Sequence, residues 1–173
     1  MRILFYTDRY HPNLQGFITG LLDAGHEVAM IAYTAWDDES YDPRLHYERL
    51  KLARPNSDLL FKDGRRRSRY TVPNIAALNR SLDAFQPDVV LLKYISLPIL
   101  FLNALCRIKR IRTVLYSPRS PYPTVKHRIR YRLLSHIGFL PKNYFLVAIS
   151  GHTHQLLPGE TCLPYTIRPD PRA

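Results

Sequence analysis

Apolar positions along this chain follow two rhythms. One is short unbroken runs and the other is stripes spaced for one face of a helix. Residues 2–7 form a buried run that ends in a polar loop from Asp8 to Pro12. Leu14, Phe17, Ile18, Leu21 and Leu22 then fall on one helical face, with Asn13 as the predicted cap and Gly25 as the stop. A second buried strand is predicted at Val28–Tyr33, and Tyr47–Leu52 alternates as a third strand at the sheet edge. Asn74 caps the next predicted helix, where Ile75, Leu78, Leu82 and Phe85 line one side before Pro87 ends it. Asp88–Leu92 is predicted as a central strand carrying an uninterrupted apolar run, as a strand covered on both faces requires. Pro98 suits a first helical turn, so residues 97–109 read as a buried helix. Arg112–Ser117 is the fifth strand, Thr124 to about His136 a helix, and Tyr144–Ile149 the sixth strand. Beyond Ser150 the rhythm fades into a proline-rich tail.

Strands alternating with helices imply parallel pairing through right-handed crossovers. The expected fold is therefore α/β, a doubly wound, mostly parallel Rossmann-like sheet. Such sheets bind ligands at the carboxyl ends of their strands. Loops 8–13, 34–36, 93–96, 117–123 and 150–154 should then share one rim.

Composition narrows the partners. Of the 173 residues 46% are hydrophobic, enough for a packed core. The first residues are too short a run for a signal-peptide core before Asp8 and Arg9 intervene. The longest apolar run, Ile95–Cys106, contains Pro98 and falls short of the ~20 residues that a membrane span needs. Cys106 sits in that run as a core residue and Cys162 follows a turn, so no disulfide framework is expected and a reducing cytoplasm fits both. The net charge of +11 favours an anionic partner, and basic residues cluster at Arg65–Arg69, Arg107–Arg112 and Lys126–Arg132.

Three segments in order carry a family resemblance. The first strand leads through a proline-containing loop and Gly16 to Gly25-His26-Glu27-Val28. Gln86-Pro87-Asp88-Val89-Val90 opens the central strand, and Leu146-Val147-Ala148-Ile149-Ser150 ends another in serine. Together they resemble the N-terminal domain of GT-B-fold, family 4-like glycosyltransferases. Leu163–Ile167 resembles the last strand and hinge before the second domain. The resemblance implies an acceptor-side domain over residues 1–163, a hinge from 164 to 173, and a donor-binding half that is absent. It also implies a nucleotide sugar as co-substrate, no cofactor or metal in this chain, and a polysaccharide or lipid-linked acceptor. The place implied is cytoplasmic, peripheral at the inner face of the membrane. Tyr116-Ser117-Pro118-Arg119 stands where family members often carry a histidine, and the paired glycines of the first loop are reduced to Gly16.

The first loop offers Asp8, Arg9, His11 and Asn13 beside a helix N-terminus, whose unpaired N–H groups favour anions. By resemblance to inverting members, His11 is the base; the plainer alternative is that Asp8 and His11 satisfy loop backbone. Substrate contacts are expected from Asn13, Gly16, Tyr94 and Arg119, whose guanidinium fork matches an oxyanion, and by resemblance alone from Ser150. His26 and Glu27 read as rim residues, and Asp88 as ordering the turn into its strand. Val125, Ile129, Leu133 and Ile137 can line one helical face, with Lys126, Arg128, Arg130 and Arg132 over the rest. That stripe either packs on the sheet or faces an anionic membrane, as family members acting on lipid-linked acceptors do.

Other function classes leave weaker marks. Ser150-Gly151-His152-Thr153-His154 is similar to the closing metal motif of calcineurin-like phosphoesterases, and Asp8 could be a further ligand. A dinuclear site needs more ligands, yet Leu92-Lys93-Tyr94 replaces the bridging aspartate. That reading expects a two-layer β-sandwich. A basic binding module is the remaining alternative, but no zinc-finger, helix-turn-helix or RNA-binding signature supports specific nucleic-acid recognition. No Gly-x-Gly-x-x-Gly follows the first strand, which weighs against a dinucleotide site.

Overall fold

The computed structural model describes residues 1–7, 10, 12–33, 41–50, 73–93, 96–117, 129, 133–134, 136, 143–148 and 161–164. Within them the chain forms strands β1 (Arg2–Thr7), β2 (Glu27–Ala32), β3 (His46–Arg49), β4 (Val89–Lys93), β5 (Arg112–Ser117), β6 (Asn143–Ala148) and β7 (Thr161–Pro164). Three helices connect them: α1 (Pro12–Asp23), α2 (Ile75–Phe85) and α3 (Leu97–Ile108). The strands make one seven-stranded sheet in the order β3-β2-β1-β4-β5-β6-β7. Every neighbouring pair is parallel, with Ile3 opposite both Val28 and Val89 at its centre. The expected α/β, doubly wound fold is what forms, and a single parallel sheet departs from the β-sandwich of the phosphoesterase reading.

Strand alternation builds two cores, one on each face. Leu4, Tyr6, Val90, Leu92 and Leu115 point to one side, where Leu78 and Leu82 of α2 and Ile99, Leu102 and Cys106 of α3 cover them. Ile3, Phe5, Val28, Met30, Leu91 and Tyr116 point to the other, under Leu14 and Ile18 of α1. Phe5 meets Phe17 and Tyr116 edge-on, at ring-centroid distances of 5.7 Å and 6.4 Å. Burial pushes the Tyr6 hydroxyl, beside Tyr33, well above the ordinary tyrosine range.

Helix ends follow local chemistry. α1 closes in a Schellman motif, with the Gly25 and His26 amides donating to the Leu22 and Leu21 carbonyls, both at 3.0 Å. Gly25 takes φ of 80°, which an L side chain rarely adopts. α3 closes the same way through Arg110 and Ile111, although Arg110 bears a side chain at φ 59°. Asn74 caps α2 as expected, its side chain accepting from the Ala77 amide at 3.0 Å.

Several boundaries differ from the sequence expectation. α1 starts at Pro12, so Asn13 lies inside the helix; proline is favoured there because a first-turn N–H has no partner to lose. The edge strand β3 is His46–Arg49, one position earlier and shorter than expected. A seventh strand, β7, pairs with β6 and begins two residues before the Leu163–Ile167 segment expected as the last strand and hinge. β4 runs on through Lys93, a charged residue at which the apolar run stops.

Among the described residues, no helix is long and apolar enough to cross a membrane.

Candidate functional site

The sheet order places a crevice. From β1 the chain moves outward to β2 through α1 on one face. From β4 it moves the opposite way to β5 through α3 on the other face. The strand order therefore reverses between β1 and β4, and at their carboxyl ends the helices diverge to leave an opening.

Three polar residues lie at the carboxyl ends of the strands around this switch point. Thr7 ends β1, Lys93 ends β4 and Tyr116 lies next to last in β5. Tyr6 pairs with Leu92, so Thr7 and Lys93 are the next positions along two adjacent strands, and Lys93 pairs directly with Tyr116. Neighbouring strands lie about 4.8 Å apart, so the three residues span two strand spacings. Alternation puts all three on the α1 face, since Phe5, Leu91 and Tyr116 belong to that core. Thr7 and Tyr116 are buried, and Lys93 is only 7% exposed. An ammonium group seldom goes so deep, because its desolvation must be offset by polar surroundings. Phe5 holds the Tyr116 ring edge-on from the next strand but one. Tyr10, also buried, belongs to the same core beside Leu14 at the start of α1.

Of the residues expected to form the site, Gly16 lies in α1, a helical residue and not a loop glycine, and Asn13 is the second residue of that helix. Asp8, Arg9, His11, Tyr94, Arg119 and Ser150 lie outside the described residues, as do His152 and His154. Lys126, Arg128, Arg130 and Arg132 do so too. Sequence reasoning missed Lys93, Thr7 and Tyr116. The available signal was a lysine closing a run of four aliphatic residues, Val89-Val90-Leu91-Leu92. No group of three or more metal-ligating side chains occurs among the described residues.

The opposite rim is a structural clasp. Asp88 Oδ2 accepts from the Arg2 amide at 2.7 Å, and the Asp88 amide donates to the Arg2 carbonyl at 2.8 Å. The Arg2 side chain pairs with Glu27 at 3.1 Å and lies over the Phe85 ring at 5.0 Å. Asp88 and Glu27 therefore order the strand entrances, far from the crevice.

On the α2–α3 face, Ile129, Leu133, Leu134 and His136 are helical. Leu134 packs against the core, whereas Ile129 and Leu133 are 62% and 60% exposed. The expected stripe thus turns outward at these two positions, because it is Leu134 that faces the sheet. Ile108 at the end of α3 is 79% exposed on the same layer.

No protein-family model and no curated protein matches the chain. Among solved structures it is similar to the Bordetella bronchiseptica enzyme WbmH in complex with NAD+, at 14% identity over 86% of this chain and 56% of that one, with a TM-score of 0.52. It is also similar to the spinosyn rhamnosyltransferase SpnG complexed with thymidine diphosphate, at 15% identity over 96% of this chain and 50% of that one, with a TM-score of 0.50. The calicheamicin glycosyltransferase CalG4 aligns at 12% identity over 84% of this chain and 47% of that one, with a TM-score of 0.47. What is shared at such identities is the fold, a GT-B-like Rossmann sheet. The chain spans about half the length of these proteins, 56% and 50% for the first two.

Proposed function

We propose that this chain is the acceptor-side half of a family 4-like glycosyltransferase that moves a sugar from a nucleotide sugar to a polysaccharide or lipid-linked acceptor. The observation that carries the reading is the crevice between β1 and β4, in a sheet that aligns with the rhamnosyltransferase over 96% of the chain. In this reading a second, donor-binding half faces the crevice. Asp8 and His11 follow Thr7 in the chain and serve proton transfer, while Arg119 and Ser150 contact substrate. Closure between the halves excludes water and strengthens every charge interaction at the transferring carbon.

The likeness to the NAD+-bound enzyme favours no dinucleotide site here. Between Thr7 and the start of β2 the glycines are Gly16, Gly20 and Gly25, all within or just after α1, where a dinucleotide turn needs them before the helix.

Membrane docking is the second part of the proposal. Ile129, Leu133 and Ile108 present apolar side chains on the outer face of the α2–α3 layer, and the chain carries a net charge of +11. Apolar side chains set among cations suit an anionic bilayer surface. Flotation with anionic vesicles should recover the chain and flotation with neutral vesicles should not; equal recovery from both removes this part.

The transfer reading is tested by release of nucleoside diphosphate from a panel of nucleotide sugars. The protein used should be the polypeptide carrying this domain together with its donor-binding half. His11→Ala and Asp8→Asn should each lower release by about a hundredfold, the scale of general acid–base catalysis. The chain of residues 1–173 alone should be nearly inactive; robust transfer by it contradicts the two-half arrangement.

A further inference from the structure

α3 is apolar on both of its faces. Ile99, Leu102 and Cys106 pack inward on the sheet, and its one amide side chain, Asn103, is also turned inward, where it accepts from the Thr113 hydroxyl. Leu97, Phe101, Ala104 and Ile108 follow at i, i+4, i+7 and i+11 along the outer face, where a solvated helix carries polar residues. Phe101 is 39% exposed and Ile108 79%, the highest value among the described large apolar side chains. α3 runs opposite to the strands, because it leaves the carboxyl end of β4 and delivers the chain to the amino end of β5. Ile108 therefore stands at the amino rim of the sheet, the end away from the crevice. Arg107, Arg110 and Arg112 are exposed around it. Among the described residues these three make no ion pair, whereas nearby acids are engaged: Asp83 holds Lys109, Glu27 holds Arg2, and Asp88 accepts from the Arg2 amide. The rim thus presents an apolar side chain within a surplus of positive charge.

We infer that the C-terminal end of α3 is the point at which the chain meets an anionic bilayer: Ile108 enters the headgroup layer, Arg107, Arg110 and Arg112 meet lipid phosphates, and the crevice faces away from the membrane. The inference rests on the membrane-docking reading above and adds which end of the fold touches. Charge complementarity selects the occupant. Guanidinium forks match phosphate oxygens, and an apolar side chain set among them gains by leaving water. A second copy of this chain would instead press the same arginines against their own kind. The twelve residues of α3 span about 18 Å, so the crevice rim stands roughly that far from the headgroups. A sugar attached next to its lipid does not reach across that gap. Combined with the sugar-transfer reading, this orientation calls for an acceptor with an extended saccharide, either lipid-linked or a polysaccharide.

The test is partition of the 173-residue chain onto phosphatidylcholine vesicles with and without phosphatidylglycerol. Ile108→Glu should weaken binding to the anionic vesicles about tenfold, the scale of one aliphatic side chain kept in water. Replacing Arg107, Arg110 and Arg112 together by glutamine should weaken it about a hundredfold, roughly fivefold for each arginine. Phe101→Glu, near the crevice end of the same helix, should leave it unchanged. Depth is read separately in a Trp36→Phe background with brominated lipid. A tryptophan placed by Ile108→Trp should be quenched on the anionic vesicles, and one placed by Phe101→Trp should not. If Ile108→Glu fails to fold, the quenching pair decides alone. Equal quenching at both positions, or anionic binding indifferent to Ile108→Glu and to the arginine replacements, overturns the orientation and leaves membrane docking standing. Binding to neither vesicle, or equally to both, overturns docking itself. An Ile108-dependent dimer in sedimentation, without vesicle binding, gives this end of α3 to a second copy and overturns the inference.

Discussion

The Thr113 hydroxyl on β5 donates to Asn103 Oδ1 on α3 at 2.7 Å, and Asn103 is wholly buried. This polar contact sits in an otherwise aliphatic interface between α3 and the sheet. It ties the helix to one register on β5, since sliding by a turn would strand a buried amide. Thr113→Val keeps the shape and removes the donor. Stability should fall by about 1–2 kcal/mol, read from the urea midpoint at unchanged slope. An unchanged midpoint would mean that α3 is held by its apolar contacts alone.

Gly25 and Arg110 occupy the same cap position in two helices, with positive φ in both. A Cβ added at Gly25 meets nothing within 4 Å, so Gly25→Ala isolates the cost of the backbone conformation. That cost should be about 1 kcal/mol. Arg110→Gly relieves the same strain and should stabilise by about 0.5–1 kcal/mol. Thermal melts of the two variants should therefore move in opposite directions.

Asp42 supplies an acid-sensitive contact next to the sheet edge. Its side-chain hydrogen bonds from Arg44, at 2.7 Å and 3.0 Å, hold the carboxyl down at about 2, and the Arg44 amide adds another. A pKa lowered on folding contributes stability that is present above the unfolded value of about 3.9 and is lost as pH falls through the folded one. Asp42→Asn should therefore flatten the decline of melting temperature between roughly pH 4 and pH 2. The exposed Arg44 partner keeps the effect small and salt-sensitive. A variant whose acid decline matches the wild type would assign that decline to other carboxylates.

Cys106 lies on the sheet-facing side of α3 with no exposed surface, and burial pushes its thiol up to about 12. The thiolate is the reacting form, so native Cys106 should resist iodoacetamide at pH 8 and label only on unfolding. Peptide mapping of the labelled chain checks this residue by itself. Rapid native labelling would show that α3 opens locally well below the global transition.

Much of the architecture was legible because burial leaves a periodic trace. The i, i+3, i+4 stripe of α1, the Asn74 cap and the aliphatic run of β4 each report a local requirement that any fold must meet. The bounds of β5 are those expected, Arg112–Ser117, for the same reason. The candidate site was less legible. Loop residues with obvious chemistry, Asp8, His11 and Arg119, stand out in the sequence, whereas Lys93 reads as the start of the 93–96 loop and Tyr116 as the end of its strand. A residue that breaks an apolar rhythm looks like a boundary until its neighbours across the sheet are known. The outward turn of Ile129 and Leu133 was equally hidden. The helical wheel identifies an apolar stripe, but only the packing of Leu134 shows which side meets the core.

By itself the order of apolar and polar residues determined that this chain alternates strands with helices, because each element must hide one face from water. Strand pairing belongs to the tertiary structure alone. Putting β1 beside β4, which lie far apart in the sequence, brings Thr7, Lys93 and Tyr116 to adjacent strand ends at the point where the winding reverses. Hydrophobic periodicity is a short-range property of the chain, whereas a binding crevice is made by long-range contacts that carry no local signature.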